Sequence, residues 1–344
     1  MATASQVQHS EGYGTLPEIV QFVMNQGLVY GGADVGGTNI AAAVSDGEGT
    51  ILAEISVATL PYEGPAGVLH RVGEALLDLS QQVDGKLAAA GIGLPGLIDL
   101  DRGETLFLPN FPGNWRNVPA RATLKAQLQC PVALLNDARI ATLGELRYGL
   151  GRGVNTMVYL TLGTGIGGGL VIDGRLRLGA LGAAGELGHQ TILPEGPWCG
   201  CGNRGCVETL ASGPAITAEG VRLLKSGLAP ILYELTEGDA ARVTPKEMAE
   251  ACRAGDKMVQ EAIRRAAGYL GIAIANVVTI LHPELVVLTG GVAAMGDLLL
   301  NTIRDEVKRR VGMFPAETAR IEVSSLANRA GVLGAVALAL DQHE

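Results

Sequence analysis

The chain has 344 residues, of which 47% are apolar, 18% charged and only 4% aromatic, with 49 glycines. This describes a compact globular chain, long enough for two domains or one large one, and excludes a disordered protein. A net charge of −9 without a basic cluster argues against nucleic acid; no apolar run reaches membrane-spanning length, and MATASQVQHSEGYG lacks a signal peptide's basic and apolar regions.

In chain order, residues 1–27 form a polar start with a short amphipathic stretch, 16–24, which predicts an N-terminal helix. Residues 28–34 read as a strand, Gly36-Gly37-Thr38 as a turn, 39–45 as a second strand, Asp46-Gly47 as a hairpin turn and 49–59 as a third strand. Helical spacing of apolar residues runs over 66–83, followed by an apolar strand over 86–93 that ends in Leu94-Pro95-Gly96. Residues 120–129 read as helix, 131–135 as a buried strand ending at Asn136-Asp137, and 138–148 as helix. The opening pattern then recurs: strand 156–162, a Gly/Thr turn over 163–169, strand 170–172 and Asp173-Gly174. Residues 34–47 and 161–174 thus share strand, Gly/Thr hairpin, strand and Asp-Gly turn. This is a two-fold internal duplication, and it predicts two similar α/β domains facing each other across a cleft. Further on, 284–288 reads as a strand leading into Thr289-Gly290-Gly291, and 330–340 as an Ala-rich helix.

The densest chemistry lies between Glu186 and Glu208. Three of the five cysteines, Cys199, Cys201 and Cys206, fall within eight residues, with His189 just upstream. One imidazole and three thiolates match a closed tetrahedral Zn²⁺ site of the structural kind. The alternatives are a disulfide pair or free buried thiols, but Cys199 and Cys201 are too close to pair easily and three cysteines leave one over, which favours the metal. Such a loop would hold Glu186 and Glu208 in fixed positions. Cys130 and Cys252 read as small buried apolar residues, and a thiolate site without another cysteine pair points to the reducing cytoplasm.

The two Gly/Thr turns offer backbone N–H groups and a threonine hydroxyl, which suit phosphate oxygens, and Gly290-Gly291 offers bare backbone to a nucleotide's adenosine. No GxxxxGK[ST] string occurs, so neither turn is a P-loop. Residues 163–168 spell GxGxxG, but the segment that follows is strand-like, so a dinucleotide fingerprint fails on context. Asp137, at the carboxyl end of a strand, is well placed as a general base; capping the next helix is the equally weighted alternative for Asn136 or Asp137. Glu186 and His189 would share a face if their segment is helical, and carboxylates converging with an imidazole suit a polyhydroxylated ligand.

These residues resemble the ROK family of sugar kinases, sugar-sensing repressors and open reading frames. The resemblance rests on DVGGT at 34–38, GLPG at 93–96, ND at 136–137, LGTGIGGG at 162–169, GAAGELGH at 182–189, CGCGNRGCVE at 199–208 and TGG at 289–291. It covers about residues 28–340, and within the family the chain looks most like the bacterial glucokinases. The resemblance implies an actin-like ATPase fold, α/β with two ribonuclease H-like domains around a cleft: residues 28–137 plus 330–344 as the smaller, 138–329 as the larger with the zinc site, and 1–27 as an extension. It implies ATP-dependent phosphorylation of a hexose at the 6-hydroxyl, most simply glucose.

By motif, Asp137 is the base. Gly96, Asn110, Asn136, Glu186, His189 and Glu208 surround the sugar. Asp34 helps organise Mg²⁺, and Gly36, Gly37, Thr38, Thr164 and Gly165 contact the phosphates, with Gly290 and Gly291 at the adenosine. His189, Cys199, Cys201 and Cys206 bind zinc. A homodimer or homotetramer is also implied. Asn39 stands where many members have Lys, and Arg139 where Asn is common. The extension is too short for the winged helix of ROK repressors. Alternatives are a kinase for N-acetylglucosamine, N-acetylmannosamine, fructose or allose, a non-catalytic sugar sensor, a zinc-stabilised binding module, and polyphosphate as donor.

Overall fold

The computed structural model describes residues 27–108 and 111–342. The predicted helix over 16–24 and Asn110 therefore lie outside the described residues. The first sheet comprises β1 (Leu28–Val35), β2 (Asn39–Ser45), β3 (Ile51–Ala58), β4 (Lys86–Leu94) and β7 (Val132–Asn136). Helix α1 (Gly64–Gln82) precedes β4, the small ribbon β5 (Leu97–Asp99) and β6 (Glu104–Phe107) follows it, and α2 (Ala120–Leu128) leads into β7. Helix α3 (Asp137–Tyr148) crosses to the second sheet of β8 (Met157–Leu162), β9 (Ile166–Ile172), β10 (Arg175–Arg177), β11 (Leu285–Thr289) and β12 (Arg320–Val323). Between β10 and β11 lie α4 (Val207–Ala211), α5 (Gly213–Lys225), α6 (Pro230–Thr236), α7 (Pro245–Arg253) and α8 (Lys257–Leu281); α9 (Asp297–Arg310) precedes β12, and α10 (Ala330–Leu340) closes the described chain.

The two sheets have the same plan. Their orders are β3-β2-β1-β4-β7 and β10-β9-β8-β11-β12. In each, two antiparallel pairings are followed by two parallel ones. The duplication read from the two Gly/Thr hairpins thus extends to strands that carried no matching motif. Parallel strands buried on both faces are continuous apolar runs, and every residue of β11 is buried. Helix α8 is long and apolar enough to cross a membrane, but its apolar stripe, from Val259 to Val278, is buried in the core around the second sheet.

One boundary differs from the sequence reading. The turn after β8 spans only residues 163–165, and Gly167, Gly168 and Gly169 belong to β9. These glycines serve packing: a Cβ on Gly169 would lie 2.1 Å from Thr142 Oγ1 of α3, and one on Gly167 2.9 Å from Ala138 Cβ. The same device sets α3 against α10. A Cβ on Gly144 would lie 2.0 Å from the Ala330 carbonyl oxygen, and one on Gly334 1.7 Å from that of Ile140. The helices therefore meet backbone to backbone, which places the start of α3 beside β1.

Candidate active site

The parallel strands β1, β4 and β7 point their carboxyl ends the same way, and ligands of open α/β sheets sit beyond such ends. Asp34 stands near the end of β1, and Asn136 and Asp137 stand where β7 passes into α3. The structure divides the last two. Asn136 is the N-cap of α3: its Oδ1 accepts from Ala138 N at 3.0 Å and Arg139 N at 3.3 Å, while its Nδ2 donates to the Gly96 carbonyl at 2.9 Å. Asp137 is the first helical residue and is half-buried; its Oδ1 accepts from Ala138 N at 2.8 Å. Gly96 has φ of +82°, and a Cβ there would lie 2.3 Å from the Phe107 carbonyl oxygen, so β6 holds this loop close.

Burial pushes the Asp137 carboxyl above its ordinary range. The Ala138 N–H and the Arg139 guanidinium oppose that rise, and the Glu186 carboxylate adds to it. Asp34 is raised to about 7, first by burial and then by the Asp137 charge. Its carboxylate rests on the first turn of α10, where a Cβ on Gly331 would lie 1.9 Å from Oδ2. The two aspartates thus share one field at the junction of β1, β7, α3 and α10.

Glu186 opens a single 3₁₀ turn, Leu187–His189, rather than an α-helix. Its Oε2 lies 3.7 Å from His189 Nε2, so the other ring nitrogen, Nδ1, faces the cysteines. His189 Nδ1 is 3.6 Å from Cys199 Sγ, Cys201 Sγ is 3.7 Å from Cys206 Sγ, and all four donor atoms lie within 4.8 Å of one another. Zinc–sulfur bonds of about 2.3 Å at tetrahedral angles require sulfurs about 3.8 Å apart, so the cluster fits a structural Zn²⁺. All five cysteines are free thiols, and Cys130 and Cys252 are buried as expected. The imidazole placed between a carboxylate and the cluster matches the usual outer partner of a metal-bound histidine.

Glu208, in the first turn of α4, joins this loop to the second hairpin. Its Oε2 accepts from Ile166 N at 2.9 Å and lies 2.5 Å from where a Gly165 Cβ would be, while its Oε1 is 3.7 Å from Cys199 Sγ. Gly290 packs on the same turn, with Val292 N donating to the Leu162 carbonyl at 3.0 Å. Thr164, Gly165 and Gly290 are therefore gathered at the ends of β8 and β11, with Gly291 exposed beside them. The first turn, Gly36, Gly37 and Thr38, is exposed at the end of β1 with Asn39. It is braced from behind by Thr59, whose Oγ1 donates to the Gly36 carbonyl at 2.7 Å.

The sequence left the part of Arg139 open. In the structure its side chain is 2% exposed and ties four acceptors: Ala184 O from Nε at 3.1 Å, Asn136 Oδ1 from Nη1 at 3.0 Å, and Ala183 O and Glu186 Oε1 from Nη2 at 2.8 and 2.7 Å. The sequence signals were its departure from the family's Asn and an arginine in the first turn of a helix, where cations are disfavoured.

The chain matches the ROK family over residues 30–342. It is 37% identical to the glucokinase of Thermotoga maritima over 312 residues, 89% of this chain and 96% of that one. It is 36% identical to the xylose repressor of Caldicellulosiruptor bescii over 250 residues, 73% of this chain and 62% of the repressor. A ROK family glucokinase from Streptomyces griseus, solved in complex with glucose and AMPPNP, matches with a TM-score of 0.78 at 35% identity, covering 91% of this chain and 99% of that one. The paired sheets are the actin-like ATPase fold.

Proposed function

We propose that this chain, which belongs to the ROK family, is an ATP-dependent hexose kinase acting at the sugar 6-hydroxyl, with glucose the favoured substrate. The observation that carries the reading is the Asp137 carboxylate. It is half-buried at the end of β7, free of the capping duty that Asn136 performs, and raised by burial toward the range of a useful base. In this reading Asp137 accepts the 6-hydroxyl proton as the oxygen attacks the γ-phosphorus. Asn110, Asn136, Glu186, His189 and Glu208 take the remaining hydroxyls, with Gly96 beneath the ring.

Phosphoryl transfer is largely positioning and charge neutralisation. Gly36, Gly37, Thr38, Thr164 and Gly165 supply hydrogen-bond donors to the phosphates, and Gly290 and Gly291 receive the adenosine. Asp34 would help organise Mg²⁺, which when bound would neutralise phosphate charge. His189, Cys199, Cys201 and Cys206 would hold a structural zinc, and the loop so closed would keep Glu186 and Glu208 in place. The two halves, 28–137 with 330–344 and 138–329, act as domains that close over both substrates and exclude water. A cytoplasmic homodimer or homotetramer completes the reading.

The likeness to a xylose repressor supports a second reading, a sugar sensor without turnover. One assay separates the two: ADP release with Mg-ATP across glucose, mannose, fructose, N-acetylglucosamine and N-acetylmannosamine, repeated with polyphosphate as donor. Turnover concentrated on glucose supports the proposal. Sugar binding without turnover on either donor gives the sensor.

A further inference from the structure

The kinase reading leaves unused the most heavily bonded side chain at the site. We infer that Arg139 is a positioning residue that sets the hydroxyl-binding geometry of Asn136 and Glu186 and pins the loop between β10 and Glu186; this inference rests on the sugar-kinase reading. A guanidinium buried to 2% exposure is costly unless its donors are matched. Here the match is specific. Nη1 donates to Asn136 Oδ1 and Nη2 to Glu186 Oε1, so one rigid fork spans two side chains 50 residues apart, one at the β7–α3 junction and the other at the turn that follows β10.

Each bond has a consequence. Asn136 Oδ1 already accepts from Ala138 N and Arg139 N; the added guanidinium contact fixes the amide so that Nδ2 faces the Gly96 carbonyl. Glu186 is held by Oε1, which leaves Oε2 toward His189. The remaining donors take the carbonyls of Ala183 and Ala184. That segment contains Gly179, Gly182 and Gly185, all at positive φ, and glycine-rich backbone carries high conformational entropy unless tied down. Arg139 also places a fixed positive charge beside Asp137 and Glu186, and it opposes the burial-driven rise of Asp137.

The test compares Arg139→Met, which removes charge and fork, with Arg139→Lys, which keeps the charge alone. Hexose KM, kcat, calorimetric sugar affinity without nucleotide, and Tm are measured on each. The Met variant should raise KM and Kd for the hexose roughly 10- to 100-fold, the size expected when hydrogen bonds from a charged group are lost, with a much smaller change in kcat. The Lys variant should recover part of the loss. A folded Arg139→Met with wild-type KM and Kd overturns the assignment, whatever its Tm. If the Met variant fails to fold, the Lys variant decides: an unchanged sugar Kd there overturns it, and a raised Kd at near-wild-type Tm supports it. Wild-type protein that neither turns over nor binds any hexose removes the kinase reading itself and this inference with it. Wild type that binds without turnover removes only the kinase reading, and the Kd comparison still decides for Arg139.

Discussion

Asp137 and Asp34 have different surroundings, and the kinase proposal gives them different tasks. Asp137 sits at the first position of α3, where the neighbouring Ala138 N–H holds its carboxylate while burial raises it. Replacing it with asparagine keeps shape and removes the base, so Asp137→Asn should lower kcat by at least roughly 10²-fold while sugar affinity persists. Near-normal turnover would remove Asp137 from the base's role. Asp34 is raised from 3.8 to about 7. The stability it contributes is complete below pH 4 or so and is lost as pH rises through about 7, because the fold penalises its ionised form. Without Mg²⁺ and nucleotide, Asp34→Asn should therefore raise Tm at pH 8 more than at pH 5, and it should abolish turnover. Equal shifts at both pH values would contradict this account. At this scale the sequence was legible by motif and ambiguous by geometry. Capping by Asn136 or Asp137 weighed evenly against a base, and the extended backbone and side-chain bonds of Asn136 assign the cap to it. Arg139 was unreadable because three of its partners lie 44 to 47 residues further along the chain.

Among the elements, hairpins and strands were the most legible, because alternation and Asp-Gly turns are local signals. The glycine run after β8 misled for a physical reason: flexibility and close packing select the same residue, and here Thr142 and Ala138 of α3 press on the strand. The helices from α4 to α9 carried no motif and were not resolved individually from sequence. The gathering of His189 with Cys199, Cys201 and Cys206 was legible because their spacing is that of metal ligands. Cys201→Ser should remove the bound metal, lower Tm by roughly 5 °C or more and weaken sugar binding together, since metal binding is coupled to folding and Glu208 ties the loop to Ile166. A metal-free variant as stable and as active as the parent would refute the structural role. The α3–α10 crossing makes a separate prediction. Gly144→Ala puts a methyl into the Ala330 carbonyl, and urea unfolding should show a loss of about 1–3 kcal/mol; an unchanged midpoint would mean that the helices separate freely.

For the whole molecule, the duplication gives one strand plan twice, and α3 and α10 are the helices that stitch the copies together. Asp137 heads α3, and Asp34 rests on α10, so the chemistry is carried on the seam rather than within either sheet. That seam has a consequence for how the chain tolerates change. Gly144 and Gly334 belong to the helix crossing and not to the proposed substrate contacts, yet each faces a carbonyl oxygen where any side chain would stand. A saturation scan scored by activity would mark the larger side chains there as losses alongside substitutions of Asp137. Intolerance to substitution would thus have two origins, a reaction and a crossing of bare backbone, and only a measurement of folded fraction tells them apart.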